Sequence, residues 1–160
     1  MIVRKKLDLP TEVSGRPVTN RGVHLQPFGF HGRWLERAPY WTDLLQSMGM
    51  SWVVLLTDGD SVRQKYHQGT SPLKALLDSG IIPIIREMKQ FPLPFTERDT
   101  VRWTVDLYGK YGLKPFWIVR NEPFDDREWR RGTPPKNAWD IIMRVWADAA
   151  QFIASNGGYV

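Results

Sequence analysis

The chain has 160 residues, 42% of them hydrophobic, which suits one ordinary domain with a real core and is too few for two; residues 1–160 are expected to form that single domain, with 1–20 as a leading extension. It contains no cysteine, so disulfides, zinc-thiolate sites and thiol nucleophiles are excluded, whereas the redox compartment and the localisation stay open. A net charge of +5 admits an anionic partner, but the densest basic group, Arg127, Arg130, Arg131 and Lys136, is interleaved with Asp125, Asp126 and Glu128, so the basic stripe of a nucleic-acid surface is not expected.

The opening "MIVRKKLDLP" has basic residues without the apolar run of a signal peptide. No later stretch approaches the about 18 apolar residues of a membrane span, so the chain reads as soluble. The first strand is expected at "GVHLQP", residues 22–27. Next, "RAPYWTDLLQSMG" sets Trp41, Leu44, Leu45 and Met48 on one helical face, has Pro39 near its first turn and stops at Gly49. "SWVVLL" (51–56) follows, apolar throughout. In "SPLKALLDSG" Ser71 can cap, Pro72 fits the first helical position and Gly80 closes the helix. "IIPII" (81–85) is the third strand, with Pro83 predicting a bulge or an irregular start. A third helix opens at "TERDTVRWTVDLYGKYG" with Thr96 as cap and ends at Gly112. "PFWIV" (115–119) is the fourth strand. The last helix starts after Asn137, carries Ala138, Ile142, Val145, Ala149 and Phe152 on one face, and ends at Asn156 and Gly157 before a final strand at "YV".

Continuous rather than alternating hydrophobicity in the short runs is the mark of parallel strands buried on both faces. The alternation of strand and helix then leaves two architectures, the open doubly wound sheet and the (β/α)8 barrel. No Gly-rich phosphate or dinucleotide loop follows any strand, which favours the barrel. A complete barrel takes about 250 residues. The expected fold class is therefore α/β, a TIM-type (β/α)8 barrel present as its first half, about four βα units.

In such folds chemistry sits past the C-terminal ends of the strands. The residues there are Gln26, Pro27, Phe28, His31 and Trp34 after the first strand, Asp58 and Asp60 after the second, Arg86 and Glu87 after the third, and Asn121 and Glu122 after the fourth. Asp58 and Asp60, in "TDGDS", also fit turn and capping roles. Glu87 fits a pair in the neighbourhood of Arg86 or with Lys89 in solvent. His24, His31 and His67 lack close metal-ligand spacing, so neither a metal nor another cofactor is expected; His24 reads as an interior hydrogen-bonded residue and His31 as a ligand contact. In "PFDDREWRRGTPPK" Trp129 fits a sugar-stacking ring, with Asp125, Asp126 and Arg130 as hydroxyl binders, and the same residues fit a solvated loop. Eight tryptophans leave several beyond the core that can line a groove.

The stretch "FWIVRNEP", an apolar fourth strand running into Asn-Glu-Pro, resembles the clan A glycoside hydrolases. The resemblance implies a (β/α)8 barrel, retaining hydrolysis of a glycan, Glu122 as general acid/base and Asn121 on the sugar 2-hydroxyl; Arg86 is a looser match to an arginine that supports the catalytic carboxylates. Trp117, Trp129 and Phe124 are expected as apolar walls that raise the pKa of Glu122. The clan's nucleophile, a glutamate after strand seven, has no counterpart in these residues, and Glu87 is the one local candidate for a second carboxylate. Expected partners are an oligosaccharide or polysaccharide and either a missing C-terminal half-barrel or a second copy; the chain alone is expected to be inactive. A non-catalytic carbohydrate-binding or interaction module on a truncated or degenerate barrel is the alternative, and a barrel enzyme using Arg86 on an anionic substrate is a third reading.

Overall fold

A computed structural model describes residues 9–25, 38–57, 63, 71–87, 89–120 and 123–160, with the backbone alone at 24, 25, 38–40, 56 and 57. A hairpin of β1 (Glu12–Val13) and β2 (Arg16–Pro17) comes first, followed by β3 (Gly22–Leu25), α1 (Ala38–Ser47), β4 (Trp52–Thr57), α2 (Pro72–Asp78), β5 (Ile82–Glu87), α3 (Arg98–Gly109), β6 (Phe116–Ile118) and α4 (Ala138–Ser155). The four larger strands form one sheet in the order β3-β4-β5-β6, every neighbour parallel. Tyr159 extends it, bridging Phe116 in parallel, with Trp117 N–H donating to Tyr159 O at 2.8 Å and Tyr159 N–H to Pro115 O at 2.8 Å. The expected final strand thus begins at the β6 edge.

The helices form where stop and start signals put them. Ser71 accepts from Lys74 N–H at 3.3 Å and Pro72 occupies the first turn of α2. Gly49, Gly80, Gly112 and Gly157, which end the four helices, all have positive φ. Two caps differ from expectation. Thr96 does not cap α3; the N-cap is Glu97 and the Thr96 hydroxyl instead accepts from Lys89. Asn137 is the N-cap of α4 without a side-chain cap bond, and Ile153 takes the buried position expected of Phe152, whose ring lies under Arg98 and Arg102.

One core lies between the sheet and the helices. Val53, Leu55, Ile85 and Trp117 project into it from the strands and meet Leu45, Leu73, Leu77, Val101, Tyr108, Ala149 and Ile153 from α1 to α4. The opposite face departs from the expectation of two-sided burial: Trp52, Val54, Ile84 and Phe116 are half-buried and Ile118 is 40% exposed. The reason is topological. Sequential parallel strands joined by right-handed crossovers send every helix over the same face, and no second layer covers the other one among the described residues.

Pro83 causes no bulge. The ladder runs unbroken through Val53↔Pro83, pairing with β6 begins only at Ile84↔Phe116, and the Pro83 carbonyl accepts from the buried Tyr108 hydroxyl at 2.7 Å. The leading segment is also more than an extension, since Val13 is buried in the core. Ser14 Oγ donates to Leu77 O at 2.7 Å and Arg16 Nη1 to Ser79 O at 3.0 Å, which ties the hairpin to the C-terminal end of α2. Gly80 makes this contact possible: at φ +71, an added Cβ would stand 2.8 Å from Val13 O.

Gly132, at φ +78, has nothing within 4 Å of the same built atom. Gly132→Ala should therefore lose only the left-handed backbone preference, about 1 kcal/mol, whereas Gly80→Ala should lose about 1–3 kcal/mol more through collision with the hairpin backbone. Urea unfolding of the two variants measures the difference, and equal losses would mean that the hairpin is not seated on α2.

Candidate functional site

The C-terminal rim of β5 and β6 gathers Glu87, Glu97 and Arg120, the buried charged side chains of the described structure. Strand alternation decides which way each one points. Glu87 shares its side of β5 with Ile85, which packs against the helices, and is 0% exposed. Arg86 lies on the other side with Ile84, half-buried on the open face, paired in register with Ile118. The two neighbours "RE" thus serve different faces of the sheet.

Glu87 does not make the solvent pair expected with Lys89. Lys89 Nζ bonds Glu97, whose other oxygen accepts from Thr100 Oγ1 at 3.2 Å. What faces Glu87 is Arg120, from the end of β6, with Nη1 at 3.5 Å from Oε2 and both side chains essentially buried. At that separation neither carboxylate oxygen has a hydrogen-bond partner. Burial therefore dominates: it pushes the Glu87 carboxyl up to about 7, with Arg120 pulling the other way, Glu97 adding to the rise and Lys89 opposing it. Burial likewise lowers the Arg120 guanidinium from its ordinary value, against the raising influence of Glu87, Glu97 and Glu128.

Arg120 is the residue that sequence reading passed over. It has φ +66, a left-handed conformation rare for a residue with a side chain. Its Nη2 donates to Leu93 O at 2.6 Å and Pro94 O at 3.2 Å, and its guanidinium carbon lies 5.5 Å from the Phe91 ring centroid. The available signal was an arginine closing an apolar strand directly ahead of Asn-Glu.

Two loops are joined above this pair. Phe91 N–H donates to Glu128 O at 2.7 Å and Arg130 N–H to Phe91 O at 2.9 Å, so the β5–α3 loop and the β6–α4 loop share a short parallel bridge. Trp129 stacks on Phe91 at 5.0 Å between centroids and its Nε1 donates to Pro123 O at 2.8 Å. At 3% exposure its ring is spent on this contact, which corrects the sugar-stacking expectation. Trp117 is likewise a core residue on the helix side. Asp125 is held by Arg127 through side chain and backbone, and that hydrogen bonding lowers its carboxyl to about 2; it is a turn residue. The exposed aromatic of this loop is Phe124, parallel to the exposed Trp139 of α4 at 6.1 Å.

Of the remaining candidates, Asn121, Glu122, His31, Trp34, Asp58, Asp60 and His67 lie outside the described residues, as does the side chain of His24. Among the described residues, no cluster of three or more His, Asp or Glu is placed to hold a metal, and no helix is long and apolar enough to cross a membrane. No family model matches the chain, and neither a curated protein nor a solved structure was found to match it.

The Glu87 carboxyl gives a signed pH dependence. Its folded value of about 7 exceeds the ordinary 4.5, so between these values the native chain keeps a proton that the unfolded chain has released. Its contribution is complete below about pH 4.5 and is lost as pH rises through about 7, a change of about 3 kcal/mol at most. Denaturant unfolding at several pH values should show that fall in the wild type and a flatter profile in Glu87→Gln; parallel profiles would assign the ordinary carboxyl value to Glu87.

Proposed function

We propose that the chain is the first half of a (β/α)8 barrel and carries the acid/base residue of a retaining glycosidase. In this reading Glu122 protonates the leaving glycosidic oxygen and then activates water, Asn121 binds the sugar 2-hydroxyl, and Arg86 supports the charges on the open face. The observation that carries it is Asn-Glu-Pro two residues past β6, the fourth consecutive strand of a parallel sheet in sequential order. Such an order has no reversal, the point at which doubly wound sheets bind their ligands, and it agrees with barrel closure.

Two further features support the barrel half. The first is Tyr159, which adds a fifth parallel position beside β6. The second is the flank of α4 that turns away from α3. Asp148 and Phe152 face α3 through Arg98, whereas Trp139, Met143 and Trp146, spaced as one helical stripe, are 59%, 42% and 46% exposed. In a βα repeat that flank is where the next helix packs.

The chemistry fixes what is still required. Retaining hydrolysis needs two carboxylates about 5–5.5 Å apart, one as acid/base and one as nucleophile. Glu87 does not supply the second: it lies on the helix side of the sheet against Arg120. The nucleophile must come from the completing half, so the chain alone binds glycan without cutting it. The exposed Phe124–Trp139 pair favours a second reading, a glycan-binding module without turnover.

In the assembled barrel, Glu122→Gln should lower the hydrolysis rate by about 10²- to 10⁴-fold, the range for losing a general acid/base, with glycan binding retained. An unchanged rate would remove Glu122 from the mechanism. Binding by the wild type with no turnover in the assembled protein would favour the module.

A further inference from the structure

The buried pair at the rim has a geometry that a simple core charge pair does not need. Along β6, Trp117 and Val119 pack on the helix side and Ile118 on the open side. Regular alternation would send the next side chain to the open side. Arg120 is instead left-handed, at φ +66, and its guanidinium lies on the helix side, 3% exposed. Left-handed backbone in a residue with a side chain persists where surrounding contacts over-determine it, and such positions gather at functional sites.

Those contacts come from separate pieces of the rim. Leu93 and Pro94 offer carbonyls from the β5–α3 loop, Glu87 offers its carboxyl from the end of β5, and Phe91 offers its ring. Phe91 in turn holds the β6–α4 loop through Glu128 and Arg130. The charged groups around the pair are Lys89 and Glu97 on the β5–α3 side and Glu128 on the β6–α4 side. Asn121 and Glu122 are the two residues between Arg120 and Pro123, whose carbonyl is bound by Trp129. The chain is therefore fixed immediately before and immediately after them.

We propose that Arg120 and Glu87 are positioning residues: they clamp the exit of β6 and the two bridged rim loops into one frame at the point where the chain runs on into the Asn121–Glu122 dipeptide. The catalytic meaning of that frame rests on the glycosidase reading; the clamp itself does not. Arginine is required because one planar group must reach two carbonyls, a carboxylate and an aromatic face together, which a lysine ammonium cannot do.

Amide hydrogen exchange tests the clamp on the chain itself. In Glu87→Gln and Arg120→Met, exchange at the Phe91 and Arg130 amides should accelerate by about 10-fold or more relative to Val53 and Ile85 in the sheet, and Arg120→Lys should recover only part of the protection. Unchanged rates at Phe91 and Arg130, or an equal rise in the sheet amides, would overturn the clamp. Should Arg120→Met fail to fold, Glu87→Gln and Arg120→Lys decide the matter. In the assembled barrel, Glu87→Gln should lower kcat with KM little changed, whereas a lowered melting temperature with kcat intact would leave the pair merely structural and overturn its positioning role. Loss of the glycosidase reading, seen as an active Glu122→Gln, leaves the exchange result to stand or fall alone.

Discussion

Parallel strands laid down in chain order oblige each connection to cross the same face of the sheet. That constraint organises the molecule. It collects α1 to α4 over Val53, Leu55, Ile85 and Trp117 in a single core, and it leaves Val54, Ile84, Phe116 and Ile118 on a face with much less cover. It also brings all C-terminal strand ends to one rim. The short hairpin closes the opposite end, where Val13 enters the core and Gly80 gives its backbone room.

At the rim, burial and charge work against each other. Glu87 and Arg120 lie close enough to attract and too far apart to hydrogen-bond, so burial disfavours the charged form of each. A buried pair of this kind stabilises little against apolar residues of similar size, while removal of one partner is costly because the other charge is stranded. Its presence at the end of β6 is better accounted for by geometry: a guanidinium is the group that can satisfy the Leu93 and Pro94 carbonyls and still face a carboxylate.

The architecture was legible from local signals. Glycines with positive φ close the helices where the sequence puts them, Ser71 and Pro72 open α2, and the apolar runs became β4, β5 and β6 within a residue or two. What was not legible depends on contacts distant in sequence. Trp129 read as a free ring because its partner, Phe91, is 38 positions away in the chain. Glu87 read as a surface carboxylate because nothing nearby announces Arg120. Pro83 read as a disruption because the point at which β6 begins to pair, one residue later at Ile84, is not written in the strand itself. Alternation separates Arg86 from Glu87 once the sheet is known, yet a fully apolar strand hides which face is which.

The bridge between Phe91 and Trp129 divides the β6–α4 loop into two parts with different freedom to vary. Up to Arg130 the loop is tied to its neighbour by backbone hydrogen bonds and a stacked ring. From Arg131 to Asn137 it is exposed almost throughout. Substitutions, insertions or changes of charge in that outer stretch leave the frame around β6 untouched. The outer edge of the rim is thus a surface whose composition can change without cost to the inner scaffold, two neighbouring stretches of one loop with opposite tolerance to substitution.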